Sequence, residues 1–120
     1  MARGDILVRI DEADARPLYV QIADQLRGTI ARGQVGDGDR LPPARELAGM
    51  LKVNLHTVLR AYGELRDEGL VEMRRGRGVT VLGGASTRTA LAQTAARLVS
   101  DARGMGLDRR EVLALVEEQL

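Results

Sequence analysis

The sequence predicts a mainly α-helical chain with one small β-hairpin, and three observations support this prediction. Three segments between residues 17 and 69 place apolar residues at helical spacing and are separated by proline and glycine. Two short β-prone stretches follow, with a turn of arginine and glycine between them. Two further amphipathic segments fill residues 88–120. Five helices and one hairpin would therefore account for most of the 120 residues.

The first two predicted helices are both opened by proline. Pro17 suits the first turn of a helix because the N–H that proline lacks would be unpaired there. An apolar stripe follows at helical spacing, formed by Leu18, Ile22, Leu26 and Ile30. Gly33 ends this helix, and Pro43 opens a second, short helix over residues 44–51. Residues 1–16 are predicted to form an N-terminal arm that packs loosely.

The third predicted helix begins at Asn54, whose side chain can cap it by accepting a hydrogen bond from the amide of Thr57. One face of this helix is apolar and is expected to pack inward; it consists of Val58, Ala61, Tyr62 and Leu65. Because successive residues rotate by about 100°, His56 and Arg60 point the other way, with Thr57 at their flank. Gly69 ends the helix.

A two-stranded β-hairpin is predicted after the third helix, with strands over residues 70–73 and 79–82. Its tip is the segment Arg74-Arg75-Gly76-Arg77-Gly78, which has three cations and no acid among them. Glycine lets the backbone come close to DNA, and arginine is attracted to phosphates and to a narrow minor groove. A solvated hairpin without a nucleic-acid role is the alternative.

Three helices followed by such a hairpin are the pattern of a winged helix-turn-helix, here over residues 17–82. The third helix would enter the major groove with its N-terminal residues at the base edges, and the hairpin would lie along the backbone or in the flanking minor groove. This arrangement predicts a set of DNA contacts: Asn54, His56, Thr57, Arg60, Arg74, Arg75, Gly76 and Arg77. Arg60 could instead form a solvated pair with Glu64, four residues on.

Residues 83–87 are predicted to be a short linker, and residues 88–120 to be a helical tail. The second tail helix opens with the capping-box pattern of Asp108 and Glu111. Both helices carry an apolar stripe that would need a partner, so the tail is predicted to form a two-helix dimerisation hairpin. The predicted dimer contacts are Leu91, Ala95, Leu98, Val112, Leu113, Val116 and Leu120. The alternative is that the two helices merely cover the rest of the chain.

Composition narrows the classes of function. The formal net charge is only +1, so a nucleic-acid surface would have to arise from local clusters of cations. The absence of cysteine excludes disulfides and cysteine-ligated zinc, and His56 is the only histidine, so no metal or other cofactor is expected. With two tyrosines as the only aromatic residues, a base-stacking platform for single strands is not expected.

Location and catalysis are also constrained by the residues present. No segment has the length and apolarity of a membrane span, and no signal segment opens the chain, so a cytoplasmic protein without a membrane partner is expected. The sequence has no activated nucleophile beside a histidine base, no glycine-rich phosphate cradle and no obvious pair of catalytic carboxylates. We therefore do not expect an enzyme.

Several blocks of the sequence, in order and spacing, resemble the GntR superfamily of transcription regulators. These blocks are residues 17–22, 38–42, 45–48, 54–62, 68–71 and 75–78. The Arg60-Ala61-Tyr62 step and the short two-helix tail are similar to the YtrA-like subgroup, in which a small dimerisation tail stands in place of an effector domain.

The resemblance implies roles for individual residues. It places Arg45 on DNA at the start of the second helix, Thr57 on DNA in the third helix, and Gly76 in the wing. The chain departs from the family pattern at three positions that bear on which operator is bound. Many members have serine where Pro43 stands, proline or arginine at the position of Leu55, and arginine at the position of Leu59.

The resemblance also implies a function. It implies a regulator, expected to be a repressor, that binds an inverted-repeat operator of double-stranded DNA as a homodimer. Its own operon and a neighbouring transporter are the expected targets. A tail this short cannot enclose a metabolite, so an effector would bind at the dimer interface or between tail and winged domain. The alternative is a winged-helix module that binds protein.

Overall fold

The structure is a computed structural model that describes residues 8–75 and 78–120. Its elements, in chain order, are α1 (Leu18–Ala31), β1 (Arg40–Leu41), α2 (Ala44–Leu51), α3 (Leu55–Asp67), β2 (Val71–Arg74), β3 (Gly78–Val81), α4 (Ala85–Gly104) and α5 (Arg109–Glu118). The mainly helical fold class with a winged helix-turn-helix is confirmed. Among the described residues, none of the helices is both long and apolar enough to cross a membrane.

The core lies between α1, α2, α3 and the small sheet, because the apolar stripes of the three helices face one another. It includes Ile22, Leu26, Ile30, Leu47, Val58, Leu65, Val71 and Val81, each at most 2% exposed. Removing such side chains from water is the main driving force for this packing. The stripe predicted for α1 is buried at three of its four positions, while Leu18, at the start of the helix, remains 39% exposed.

The sheet has three strands in the order β1-β3-β2, all antiparallel. The sequence predicts only the β2–β3 hairpin, and the structure shifts both of its strands by one residue. Strand β1 was not predicted. It consists of two residues, and Leu41 pairs with Val79 from a distant part of the chain. A strand this short has no alternation from which it could be recognised.

The N-terminal arm does not pack loosely over its described part, contrary to the prediction. Val8 is buried, and two glutamines of α1 bind the backbone of the arm. The Gln21 side-chain oxygen accepts from the N–H of Asp11 at 3.0 Å, and Gln25 accepts from the N–H of Arg9 at 2.8 Å and donates to its carbonyl. These bonds satisfy backbone groups as a strand partner would. Residues 1–7 of the predicted arm lie outside the described part.

The fourth helix begins three residues earlier than predicted, at Ala85. Ala85 is 1% exposed and belongs to the core, and the N–H of Gly84 donates to Asp37 at 3.2 Å. The predicted linker over residues 83–87 therefore includes the first turn of α4, because Ala85 packs into the core, a contact that composition alone does not reveal.

The chain divides into two compact units, one ending at Thr89 and the other formed by Ala90–Leu120. In the second unit the predicted capping box of α5 is present: Asp108 accepts from the N–H of Glu111 at 2.9 Å, and Glu111 accepts from the N–H of Asp108 at 3.0 Å. Ala102 is buried, but most apolar side chains of this unit are exposed. They are Leu91, Leu98, Val99, Met105, Leu113, Leu115, Val116 and Leu120.

Candidate nucleic-acid interface

The start of α3 is fixed by Asn54, as predicted, but through a different amide. Its side-chain oxygen accepts from the N–H of His56 at 2.7 Å, while the N–H of Thr57 bonds the Asn54 carbonyl at 3.0 Å. An N-cap side chain can reach the second or third amide of a helix, and the sequence does not decide between them. The first turn of α3 holds no acid, so the positive end of the helix dipole is not offset by its own side chains.

Replacing Asn54 with alanine is expected to lower the free energy of unfolding by about 1 kcal/mol, because the His56 amide loses its side-chain acceptor. Urea denaturation followed by circular dichroism measures this. Asn54→Asp is the matched control, since aspartate is an equally good cap. An unchanged stability in Asn54→Ala would show that the cap is not used.

The structure brings His56, Thr57 and Arg60 together on the outward side of α3. These three line one surface groove with Pro17, Leu18 and Tyr19 from the start of α1. His56 and Arg60 are exposed and Thr57 is half-buried, so the predicted outward surface is not covered by the described part of the chain. The groove is therefore open to solvent, with the guanidinium of Arg60 at one end and the amino end of α3 at the other.

Tyr19 is a site residue that sequence reasoning missed. The guanidinium carbon of Arg60 lies 3.8 Å from the centroid of the Tyr19 ring. A planar guanidinium is attracted by the face of an aromatic ring, and stacking restricts its rotation while its edge N–H groups remain able to donate. The alternative pair of Arg60 with Glu64 is not recorded among the described residues. Tyr19 and Arg60 are too far apart in sequence for local patterns to reveal the contact.

Tyr62 connects α3 to the residues that precede α2. It is fully buried, and its hydroxyl donates to the carbonyl of Pro42, which is also buried. Burial raises the pKa of the Tyr62 hydroxyl, and the nearby carboxylate of Glu46 raises it further. The hydroxyl is therefore held in its protonated, donating form. The bond fixes the start of α2, where Arg45 stands exposed in the first turn.

The cation cluster of the hairpin differs from the predicted one. Arg74 pairs with Glu72 on the same strand, with the Arg74 Nε 3.1 Å from Glu72 Oε1. An acid two residues away shares its face because side chains alternate along a strand, so the cluster is not free of acid as the sequence suggested. Arg75 is exposed. Gly76 and Arg77, which were predicted to contact DNA, lie outside the described residues.

The α1 wall of the groove is anchored to α3 at its far end. The guanidinium of Arg27 donates to both carboxylate oxygens of Glu68, at 2.8 and 2.6 Å, and to Asp24 at 2.7 Å. The Glu68 hydrogen bonds raise the pKa of Arg27, although its partial burial opposes this. A bidentate arginine–carboxylate pair fixes geometry better than a single contact, so the two helices that line the groove are connected beyond their apolar packing.

Comparison with known proteins finds a family match over the segment from α1 to β3. The family model described as "Bacterial regulatory proteins, gntR family" matches residues 18–81. The HTH-type transcriptional repressor YtrA of Bacillus subtilis (strain 168) is 32% identical over 118 residues, which cover 93% of this chain and 91% of that protein. The HTH-type transcriptional regulator YhcF of the same organism is 36% identical and covers 82% of this chain.

Solved structures of other proteins have a similar fold. YtrA from Sulfolobus acidocaldarius, a GntR-family transcription factor, superposes with a TM-score of 0.63 at 33% identity, covering 92% of this chain and 94% of that one. The DNA-binding domain of AraR in complex with operator ORE1 has a TM-score of 0.54 at 25% identity and covers 62% of this chain and 92% of that one. The relatives named here are transcription regulators, and one of these structures contains operator DNA.

Proposed function

The chain belongs to the GntR family and is a YtrA-like DNA-binding transcription regulator, and from this premise we propose that it represses transcription as a homodimer on an inverted-repeat operator. The observation that supports this best is the exposed groove of α3, in which His56, Thr57 and Arg60 lie together at the amino end of the helix. An α-helix presented in this way fits the major groove, and its first residues meet base edges.

Each part of the surface has a distinct proposed role. Arg60 reads a base edge, since its planar fork suits the two acceptors of guanine. His56 and Thr57 contact neighbouring bases or phosphates, and the Asn54 cap holds the helix start in place. Arg45 and Arg75 bind phosphates and set the register of the domain on the duplex. Arg74, Gly76 and Arg77 complete the proposed wing contacts.

The contribution of the wing can be measured through salt dependence. Replacing Arg75 with alanine is expected to lower the slope of log K against log salt by about two units, because the proposed dimer loses one phosphate contact in each half-site and each contact contributes roughly 0.9 to the slope. Fluorescence anisotropy at several salt concentrations gives the slope. Arg74→Ala should change the slope less, since the ion pair with Glu72 already offsets the charge of Arg74. Equal slopes for wild type and Arg75→Ala would remove Arg75 from the interface.

A homodimer is proposed because the tail exposes an apolar surface that water disfavours. Leu91 is 65% exposed, Leu113 55% and Leu120 99%, and with Ala95, Leu98, Val112 and Val116 they form the proposed contact set. A two-fold dimer binds two half-sites about one helical turn apart, which predicts an inverted repeat. Residues 17–82 would then serve as the DNA-binding part and residues 88–120 as the dimerisation part.

The test of the proposal is an anisotropy titration on duplex DNA from the region upstream of its own gene, with light scattering to give the oligomeric state. Tight, salt-dependent binding of one dimer per site is expected. Absent or salt-independent binding would contradict the DNA role and favour a winged-helix module that binds protein. Repression is then tested by transcription in vitro from that promoter, where added protein should lower the amount of transcript.

The regulated genes and a ligand are the finer parts of the proposal. The Bacillus subtilis relative is named a repressor, which supports repression here, and we propose its own operon and an adjacent transporter as targets. A small-molecule effector would act by changing the distance between the two recognition helices of the dimer. A footprint upstream of each gene, repeated with candidate ligands, tests both statements.

A further inference from the structure

Leu59 is an apolar residue of α3 that neither the core nor the groove beside α1 accounts for. It is half-buried. Among the described residues, Leu55, one turn earlier, is one of the partly buried apolar side chains that pack against the core, and Leu59 is not. Leu59 also does not line the groove that His56, Thr57 and Arg60 form with α1. Part of its side chain is therefore open to solvent next to the proposed base contacts.

The position of Leu59 on the helix brings it within reach of DNA. Successive residues of α3 are rotated by about 100°, so His56 and Arg60 occupy the middle of the outward surface. Thr57 flanks them on the side of α1, and Leu59 flanks them on the opposite side. An α-helix is about 10–12 Å wide and the major groove about 12 Å, so a helix seated there presents its flanks to the groove as well as its centre. Helical side chains also lean toward the amino end of the helix, which is the end that meets the bases.

The chemistry of the base edges limits what an aliphatic side chain can contact in the major groove. All four bases present hydrogen-bonding groups there, and thymine adds a C5-methyl group. Leucine has no donor or acceptor, so a polar edge pressed against it would lose water without gaining a partner. A methyl group that leaves water against leucine has no such penalty. A C5-methylated pyrimidine is therefore the edge that matches Leu59.

We propose that Leu59 contacts the C5-methyl group of one pyrimidine in each half-site and thereby selects the base pair at that position; this inference rests on the proposed entry of α3 into the major groove. Thymine carries this methyl group in unmodified DNA, and 5-methylcytosine presents the same group after base methylation. Two adjacent residues of α3 then recognise different chemistry, since Arg60 binds acceptors and Leu59 binds an apolar group. The arginine that many family members have at this position suits guanine, so leucine changes which base pair is preferred.

Replacing thymine with deoxyuridine tests the contact without changing the protein. Uracil pairs as thymine does and lacks only the C5-methyl group. In the operator located by footprinting upstream of the protein's own gene, each thymine is replaced in turn, at equivalent positions of both half-sites. One position should weaken binding by about four-fold in each half-site, or about fifteen-fold for the dimer, as expected for the loss of one buried methyl group per half-site. Anisotropy titrations at constant salt measure the dissociation constants.

Leu59→Ala identifies the side chain that makes the contact. This variant should bind the thymine and uracil operators equally, because it lacks the isobutyl group that covers the methyl. Alanine favours helix, so α3 should remain folded, and thermal melting checks this. Leu18→Ala is the matched control, since Leu18 is also a partly exposed leucine beside the recognition residues but lies on the α1 side. It should retain the full sensitivity to uracil.

A cytosine–guanine pair at the sensitive position, with and without a methyl group on cytosine, distinguishes the two sources of the methyl. The natural chain should bind 5-methylcytosine about four-fold more tightly than cytosine in each half-site, and Leu59→Ala should bind both equally. Synthetic operator DNA contains no methylated cytosine, so tight binding to it with one uracil-sensitive position assigns the methyl to thymine. Binding that strengthens only when a cytosine is methylated assigns it to 5-methylcytosine.

The outcomes separate this contact from the proposed function. Specific binding that responds to neither uracil nor cytosine methylation would overturn the methyl contact while leaving the regulator's DNA binding intact. A uracil effect of the same size in Leu59→Ala would assign the methyl to another side chain, and so would overturn the inference as well. If the natural chain binds no duplex specifically, the entry of α3 into the groove is wrong and the inference falls with it.

Discussion

Replacing Arg60 with alanine is expected to lower affinity for the operator by about 1 to 3 kcal/mol in each half-site, because a bidentate contact to a base pair is lost. Two half-sites in one dimer complex double the effect. Competition with operators changed at single positions should show a second consequence: discrimination at one base pair of each half-site disappears. Anisotropy titrations at constant salt measure both.

Arg66→Ala is the matched control, since Arg66 is also an exposed arginine of α3 but pairs with Asp67 near the far end of the helix. It should bind as the natural chain does. If Arg60→Ala weakens all sequences equally, Arg60 is a phosphate contact and another residue reads the base. If it weakens none, the groove is not the interface.

The stack on Tyr19 gives this prediction a further test. Tyr19→Phe keeps the ring beneath the guanidinium and should preserve discrimination, whereas Tyr19→Leu should lower it by freeing the Arg60 side chain. In a double-mutant cycle, Tyr19→Leu should cost little once Arg60 is alanine. Additive losses would mean that Tyr19 contacts DNA on its own account.

Most of the helical architecture could be predicted because it depends on sequence patterns within each helix. The spacing of Ile22, Leu26 and Ile30 marks the buried face of α1, and Asp108 with Glu111 marks the start of α5 within four residues. Such signals need no knowledge of the rest of the fold. The outward orientation of His56 and Arg60 also follows from rotation about a single helix axis.

The features that could not be predicted depend on contacts between distant parts of the chain. β1 exists because Leu41 meets Val79, and Tyr19 belongs to the site because α1 packs on α3. The arm is ordered by Gln21, whose buried amide looks in sequence like an ordinary polar helix residue. In each case a side chain or short strand takes its structure from a partner that periodicity does not identify.

One such contact determines whether the recognition surface holds its shape. The sequence predicts that Tyr62 packs inward, and the structure shows that it also connects two helices: its ring fills the core and its hydroxyl binds Pro42 at the entrance to α2. The mutual arrangement of α2 and α3, and hence of Arg45 and Arg60, depends on this side chain. A defect here should therefore appear in stability and in DNA binding together.

Replacing Tyr62 with alanine is expected to lower the free energy of unfolding by about 3 to 5 kcal/mol, the usual range for truncating a buried aromatic residue. Small proteins have about 5 to 15 kcal/mol in total, so this variant should be partly unfolded near body temperature. Urea denaturation and thermal melting measure the loss. A change below about 1 kcal/mol would contradict the burial seen for this ring.

Tyr62→Phe separates the hydroxyl from the ring. It should fold but lose about 1 to 3 kcal/mol, because the buried carbonyl of Pro42 keeps no donor from Tyr62. The same substitution at Tyr19 is the matched control, since no hydrogen bond of its hydroxyl is recorded among the described residues, and it should cost almost nothing.

Because burial raises the Tyr62 pKa, the unfolded chain releases this proton first as the pH rises above about 10. The natural chain should therefore lose stability there faster than Tyr62→Phe does, and parallel pH curves would mean that the hydroxyl is not held as the structure places it.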